Sequence, residues 1–481
     1  MRIYLMVDFG STYTKVTAVD LENEILIGTA QSPTTVFSDI TLGLNLALEK
    51  LYNTHNFRPE DVCGKYACSS AAGGLKMAAV GLVPDLTLKA AKMAALGAGA
   101  KVLCSYGFEI DSDIANEIEH MQCDIVLLCG GTDGGNKTVI LHNAGVLANS
   151  NISCPILVCG NRSVSKEIRA HLEAGGKKVY TAGNVLPAVD CVDVGPAQSL
   201  IREIFISHII SAKGLDKAES FFQNSIIPTP MASLSAAVLL ADGTGKESGI
   251  GSLLVAEIGG ATTNIHSVAN NSPVTSHAII RGLMEPRVSR TVEGDMGIRY
   301  NARTIFDYEG AERLCAQALK LSEEVPPDCI DPDIYTRLLS ENADYIPQNK
   351  TEAIMDVSLA MAAVETATQR HAGYTKSEYT VAGEVTLQYG KNLLDVKNIL
   401  GTGGIFRYGE RPDAILNTAL FDNELPWSLR PKSPKGYVDC EYIFYAMGLL
   451  SQDFPDEALR IMKKYLKEVE IEGEKSHKNS Q

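Results

Sequence analysis

One turn is written twice in this chain. The apolar run Ile3 to Val7 leads into Asp8-Phe9-Gly10-Ser11-Thr12-Tyr13-Thr14-Lys15, and Val16 to Val19 is apolar again. Far downstream, Ser252 to Ile258 carries Glu257 and passes through Gly259-Gly260-Ala261-Thr262-Thr263-Asn264 into Ile265 to Val268. Both segments read as strand, carboxylate, apolar residue, glycine, small and hydroxyl residues, strand. Each is therefore expected to be a hairpin whose turn exposes several backbone N–H groups. With the hydroxyls of the first turn and the Lys15 ammonium, such a turn can surround a polyphosphate, while Asp8 can hold the hydration shell of Mg²⁺, an ion that usually keeps its waters. This is not a P-loop, which needs a helix after the turn; the nearest approach, Gly243-Thr244-Gly245-Lys246-Glu247, lacks the first glycine and the hydroxyl after lysine. A repeat of so specific a turn suggests two lobes facing one ligand. A third element, Ile399-Leu400-Gly401-Thr402-Gly403-Gly404-Ile405, is an apolar strand ending in glycines, where backbone can approach a flat ring or its ribose.

The remaining sequence fits an α/β protein of two to four domains, since 481 residues at roughly 100 to 200 per domain leave ample core. Apolar residues make up 45% and charged residues 21%, far from the signature of disorder. The net charge of −15 makes nucleic acid an unlikely main partner. The eleven cysteines form no C-x-x-C pair and several sit in apolar runs, so they read as buried reduced thiols. No stretch approaches the roughly 18 apolar residues of a membrane span, and the apolar run before Asp8 is too short for a signal peptide. A cytoplasmic location is expected, with no membrane partner; the chain carries no signal of its oligomeric state.

Strand-like runs at Ile125 to Leu128 and Ile156 to Val158 alternate with helical stretches, one of them ending at Gly175-Gly176, and make a second α/β unit. The Ala-, Gly- and Lys-rich stretch from Ser69 to Val102 reads as short helices broken at Pro84-Asp85. A long helix is expected from about Thr351 to His371, with Ile354, Val357, Met361 and Val364 on its core face. The expected organisation is residues 1–70 as the first part of one lobe, 71–250 as an inserted α/β unit, 251–466 as the second lobe, and 467–481 as a disordered polar tail.

The order of the three glycine motifs resembles the phosphate 1, phosphate 2 and adenosine motifs of the actin, heat-shock-70 and sugar-kinase superfamily. Within it, Thr132-Asp133-Gly134-Gly135-Asn136-Lys137, Thr291 to Ala302 and the stretch Ser69 to Gly99 are similar to the MutL-type accessory proteins of glutamate mutase. The resemblance implies a two-lobed actin-like ATPase with ribonuclease-H-like lobes. ATP would lie with its phosphates at Gly10, Ser11, Thr12, Gly259, Gly260, Ala261, Thr262 and Thr263, and its adenosine beside Gly401, Gly403 and Gly404. It further implies that Asp8 and Glu257 orient hydrated Mg²⁺ and that Lys15 stabilises the transferring phosphoryl group. The partner it implies is an adenosylcobalamin-dependent mutase whose damaged cofactor is exchanged for intact cofactor, with residues 71–250 the candidate contact region.

Two departures from the superfamily pattern bear on rate. Glutamate stands at 257 where aspartate is usual, and Asn264 stands where the family tends to have a second aspartate; slow hydrolysis and a nucleotide-driven conformational switch are therefore expected. Competing readings are a small-molecule kinase of the same fold, an iron–sulfur activator, for which Cys129 and Cys159 end strands but lack the glycine-flanked exposed setting a shared cluster asks for, and an actin-like filament. The charged segment Arg287, Arg290, Glu293, Asp295 and Arg299 reads as a cleft lining or a partner contact and equally as a solvated loop, and His371 reads as structural.

Overall fold

The computed structural model describes all residues except 36–38, 71–74, 190, 206–220, 223–224, 322–330, 382 and 473–481. Its strands, in chain order, are β1 (Ile3–Phe9), β2 (Tyr13–Asp20), β3 (Ile25–Pro33), β4 (Val62–Ser69), β5 (Lys76–Val80), β6 (Lys101–Tyr106), β7 (Ile125–Leu128), β8 (Ile156–Val158), β9 (Val179–Thr181), the two-residue β10 (Ile227–Pro228), β11 (Leu253–Ile258), β12 (Thr263–Val268), β13 (Ile279–Arg281), β14 (Val288–Glu293), β15 (Tyr374–Thr380), β16 (Gly383–Tyr389), β17 (Asn398–Gly403), β18 (Lys435–Asp439) and β19 (Leu466–Val469). The chain divides into two units: residues 1–34, 42–68 and 232–481 form one, and 35–41 with 69–231 form the other.

The first unit holds the same strand arrangement twice. In one sheet the order is β4-β1-β2-β3, in the other β17-β11-β12-β14 continued by β18 and β19 beside β17. Each starts from an antiparallel hairpin, β1 with β2 and β11 with β12, and adds a third antiparallel strand outside the hairpin and a fourth strand beside its first. In the second sheet that fourth strand, β17, runs parallel to β11. This duplicated ribonuclease-H-like order is the expected fold class. β1 and β11 are buried along their whole length, which is why both hairpins begin with near-continuous apolar runs instead of alternating ones.

The helix Lys350–His371 packs among β11, Ile399 and Val438 in the core of the second sheet. Its register agrees with the expected one, but burial reaches almost all round it: Asp356, Ser358, Ala360 and Thr368 are buried as well as Ile354, Val357 and Val364, while Met361 is only partly so. Small residues on its other sides let neighbours close in where a one-sided helix would meet water.

The last part of the chain returns to the first sheet. The helix Phe444–Leu450 is buried at all seven positions, Tyr445 Oη lies 3.1 Å from Thr17 Oγ1, and Tyr66 Oη donates to Asp453 at 2.6 Å. Residues 444–465 thus belong with β1 rather than with the second sheet. The strand β19 takes residues 466–469, so the polar tail as described begins later than 467; residues 473–481 lie outside the described residues.

The second unit is a parallel sheet of order β6-β5-β7-β8-β9 with helices against it. Here Lys76-Met77-Ala78-Ala79-Val80, read as helical from its alanines, is instead the strand β5 near the middle of the sheet. Its alanines have no exposed surface and leave room for helices on the faces. Pro84 opens a helical segment at its first position, where a missing N–H costs nothing, rather than breaking one. The helix Ser165–Ala174 ends as expected, with Gly176 at φ 76°. The unit ends at residue 231, whereas residue 250 was expected, because most of the helix Thr229–Asp242 packs in the first unit. None of the ten described cysteines is in a disulfide; Cys63 and Cys191 are exposed, while Cys129 is buried with its Sγ donating to the carbonyls of Val80 and Thr87. Among the described residues no helix is long and apolar enough to cross a membrane.

The approach of the helix Phe444–Leu450 to Thr229–Asp242 requires glycine at 448, where a Cβ would run into the Ala232 carbonyl oxygen. Gly448→Ala should lower unfolding free energy by about 1–3 kcal/mol in chemical denaturation; an unchanged midpoint would mean that the helices separate freely.

Candidate functional site

The two repeated turns have one geometry. In the first, the Gly10 N–H donates to the Tyr13 carbonyl at 3.1 Å; in the second, the Gly259 N–H donates to the Thr262 carbonyl at 2.9 Å. The carboxylates stand at matching register, Asp8 opposite Lys15 and Glu257 opposite Asn264. At Gly10 a Cβ would sit 2.6 Å from the Tyr13 carbonyl, so the tight turn admits glycine alone. Thr34 ties down the first turn by accepting no slack on either side: its N–H donates to Thr12 O at 2.9 Å and its hydroxyl to Gly10 O at 2.9 Å.

The turns face each other. A Cβ placed on Gly260 would lie 3.6 Å from Thr12 Oγ1 and 3.4 Å from Arg299 Cβ. Ser11, Thr12, Gly259, Gly260, Ala261 and Thr262 are all partly open, whereas Gly10 is buried. Thr263 departs from the expected set: it is buried, with its hydroxyl donating to Met296 O at 2.7 Å. The glycine cluster reaches the same end of the second sheet, since Gly401, Thr402 and Gly403 pair with Ala256, Glu257 and Ile258. Gly403, at φ 120°, lets the chain turn against the Ile258 carbonyl. Gly401 lies inside β17 with the Phe406 ring in the place of a Cβ, while Gly404 borders open space.

The surroundings of the two carboxylates differ. Asp8 is buried and its Oδ2 accepts from Lys15 Nζ at 2.9 Å, while Cys68 Sγ donates to Oδ1 at 3.6 Å. Burial alone opposes the charge on Lys15, but the Asp8 carboxylate and the Tyr442 hydroxyl outweigh it and hold the ammonium well above its ordinary range. Lys15 Nζ also donates to Tyr442 Oη at 3.0 Å and lies 4.5 Å from that ring's centroid. Glu257 instead accepts from Ser233 Oγ at 2.8 Å, Asn264 Nδ2 at 3.2 Å and His266 Nε2 at 3.0 Å. Burial pushes the Glu257 pKa up, yet His266, Ser233 and Arg290 bring it below the ordinary value, so Glu257 is ionised. His266 is fully buried and its pKa is lowered by that burial, so the ring is neutral and donates through Nε2.

Tyr442 and His266 were not found by sequence reasoning, and Arg290 was singled out only as one of a charged segment with no assigned role. Tyr442 is the more consequential, since the charges of Lys15, Asp8 and Glu257 all act on it. The charged segment is a brace for the second turn. Arg290 is buried and donates to Asn264 Oδ1 at 3.2 Å; Arg299 pairs with Asp356 at 2.5 Å and its N–H donates to Gly260 O at 2.9 Å; Asn301 donates to Ala261 O at 2.7 Å. Glu293 and Asp295 pair with Arg370. His371 is structural, held between Ser267 Oγ at 2.7 Å and Thr291 Oγ1 at 3.0 Å.

Among the described residues no group of three or more His, Cys, Asp or Glu side chains is placed to hold a metal by itself. A nucleotide-bound Mg²⁺, which brings phosphate and water ligands, asks the protein for only one or two carboxylates, and Asp8 with the ionised Glu257 fits that demand.

The duplicated sheet, the paired glycine turns and the glycine cluster beside them define an actin-like ATPase fold. The chain belongs to the MutL family: the model described as MutL protein matches residues 4–466. Protein MutL of Clostridium tetanomorphum is 45% identical over 469 residues, covering 98% of this chain and all of that one. Among solved structures, component A of the (R)-2-hydroxyglutaryl-CoA dehydratase of Acidaminococcus fermentans aligns at 10% identity over 97% of this chain and 99% of its own, with TM-score 0.29. A diol dehydratase-reactivating factor aligns at 11% identity over 94% of this chain and 99% of its own, with TM-score 0.34.

Two buried imidazoles predict acid sensitivity. Burial lowers the His266 pKa and pushes that of His371 down to about 3, whereas the unfolded residues titrate near about 6.5. Stability from these groups is therefore complete above about pH 6.5 and falls as pH drops, by up to about 1.4 kcal/mol per pH unit for each ring. The lowered Glu257 adds its own loss only at lower pH, below about 4.5. Urea midpoints measured from pH 7 to pH 4.5 should fall, and His371→Asn should flatten the slope; an unaltered slope in that variant would contradict the assignment.

Proposed function

We propose that this chain is a cytoplasmic, ATP-dependent accessory protein that reactivates an adenosylcobalamin-dependent mutase of the glutamate (methylaspartate) mutase type, driving exchange of damaged cobalamin. The observation that carries the ATP part is the approach of Thr12 to Gly260, which brings two N–H-rich turns together beside Lys15 and two carboxylates. The backbone of Ser11, Thr12 and Gly260 to Thr262 binds the phosphates, on turns that the Gly10 and Gly259 N–H groups close, and the Gly403-Gly404 end of β17 lies beside the adenosine. Lys15, kept protonated by Asp8 and Tyr442, stabilises charge building on the transferred phosphoryl group. Asp8 and Glu257 hold the waters of Mg²⁺, which when bound with nucleotide neutralises the phosphates. The mutase client is supported by membership of the MutL family and by the resemblance of Thr132 to Lys137, Thr291 to Ala302 and Ser69 to Gly99 to the accessory proteins of glutamate mutase.

Hydrolysis is expected to be slow. Glu257 is already occupied by Ser233, Asn264 and His266, and Asn264 supplies an amide where a second carboxylate would add charge. Nucleotide therefore acts mainly as a switch between arrangements of the protein.

The test is ATP turnover with Mg²⁺, alone and with a cobalamin mutase inactivated by damaged cofactor, following recovery of mutase activity. Recovery should require ATP and be lost in Lys15→Ala, whose turnover should fall on the order of 10²-fold. Nucleotide binding with no recovery would contradict the reactivation reading and favour a small-molecule kinase.

A further inference from the structure

Tyr442 is an aromatic residue in the left-handed backbone region, at φ 54°, a conformation that a bulky side chain occupies only where its surroundings enforce it. The enforcing group is Asp439 at the end of β18, a buried carboxylate whose Oδ1 accepts the Ile443 N–H at 3.0 Å and whose Oδ2 accepts the Phe444 N–H at 2.9 Å. The same Oδ2 accepts the Thr402 hydroxyl at 2.8 Å, and Thr402 stands within the glycine cluster, beside Glu257 in register. On its other side Tyr442 meets Tyr445 edge-on at 6.1 Å, and Tyr445 reaches Thr17 on β2. The fixed Tyr442 then offers Lys15 both its hydroxyl oxygen, at 3.0 Å, and its ring face, at 4.5 Å.

We infer that Tyr442 is a positioning residue for Lys15, linking that lysine through Asp439 and Thr402 to the glycine cluster at the end of β17. The assignment rests on the proposed ATPase reading in so far as Lys15 acts on phosphate. Two ligands of opposite character hold the ammonium: Asp8 pairs with its charge, and Tyr442 fixes its direction without competing for that charge. A change at the glycine end shifts Thr402 and Asp439, and with them the residue that aims Lys15.

Tyr442→Gly removes the side chain while suiting the left-handed backbone, and Tyr442→Phe keeps the ring and removes the hydroxyl. Tyr442→Gly should lower kcat for MgATP hydrolysis about tenfold with a smaller change in KM, and Tyr442→Phe should retain most of the activity. In a Lys15→Ala background, Tyr442→Gly should have no further effect, whereas a merely structural role would add its loss to that of Lys15. A second readout needs no turnover: acetylation of Lys15 by acetic anhydride, followed by peptide mass spectrometry with exposed Lys166 as reference, should speed several-fold in Tyr442→Gly. Wild-type kcat and wild-type Lys15 reactivity in Tyr442→Gly, or effects additive with Lys15→Ala, would overturn the inference. Absence of hydrolysis in the wild-type protein would overturn the ATPase reading instead, and the acetylation result would still decide the role of Tyr442.

Discussion

At Gly260 the space that a side chain would take is bounded by the Thr12 hydroxyl on one side and by Arg299 on the other. That close approach of the Thr12 side chain to the Gly260 backbone brings together two hairpins lying some 250 residues apart in the chain. It is possible only because both turns are built from glycine and small residues, and because each is braced from behind, the first by Thr34 and the second by the segment 291–302. The sheets, the central helix and the C-terminal helices serve to keep those two turns at that separation.

The two hairpins also show how one register position acquires two electrostatic characters. Asp8 faces a lysine across its hairpin and shares it with Tyr442, so an ammonium is held by one carboxylate and one hydroxyl in a pair that is neutral overall. Glu257 faces an asparagine and collects neutral donors, with Arg290 acting at one remove through Asn264. The first carboxylate thus sets the position of a cation, and the second stays ionised with its own geometry fixed. A duplicated fold has been differentiated by the residue opposite each carboxylate.

The hairpins and the long helix were legible in the sequence because each rests on local pattern: apolar runs, a glycine turn, helical spacing. The alternation of strands and helices gave α/β layers, and the actin-like fold class came from the resemblance of the three ordered motifs to the superfamily. The second unit's strand β5 was not, because alanines in a buried parallel strand look like helix formers, and only the neighbours β6 and β7 make them extended. The end of that unit was misplaced because the small polar run after Asp242 looks like a linker, whereas division depends on where the preceding helix packs. Tyr442 carried no local signal at all. Its role comes from a left-handed turn set by Asp439 and from a lysine at the far end of the chain. The charged segment at 287–299 was ambiguous because burial of Arg290 and pairing of Arg299 with Asp356 are tertiary facts. Thr263 was over-read: in a strand, alternate side chains point to opposite faces, and its hydroxyl lies on the core side with Met296.

The most direct test of a single site shared by both turns is calorimetric titration of the protein with MgADP, comparing wild type with one bulky substitution in each turn, Thr12→Leu and Gly260→Leu. One nucleotide per chain, with binding weakened strongly by either substitution, is the result expected if the turns face a common ligand. Two nucleotides per chain, or binding sensitive to one turn and indifferent to the other, would contradict it.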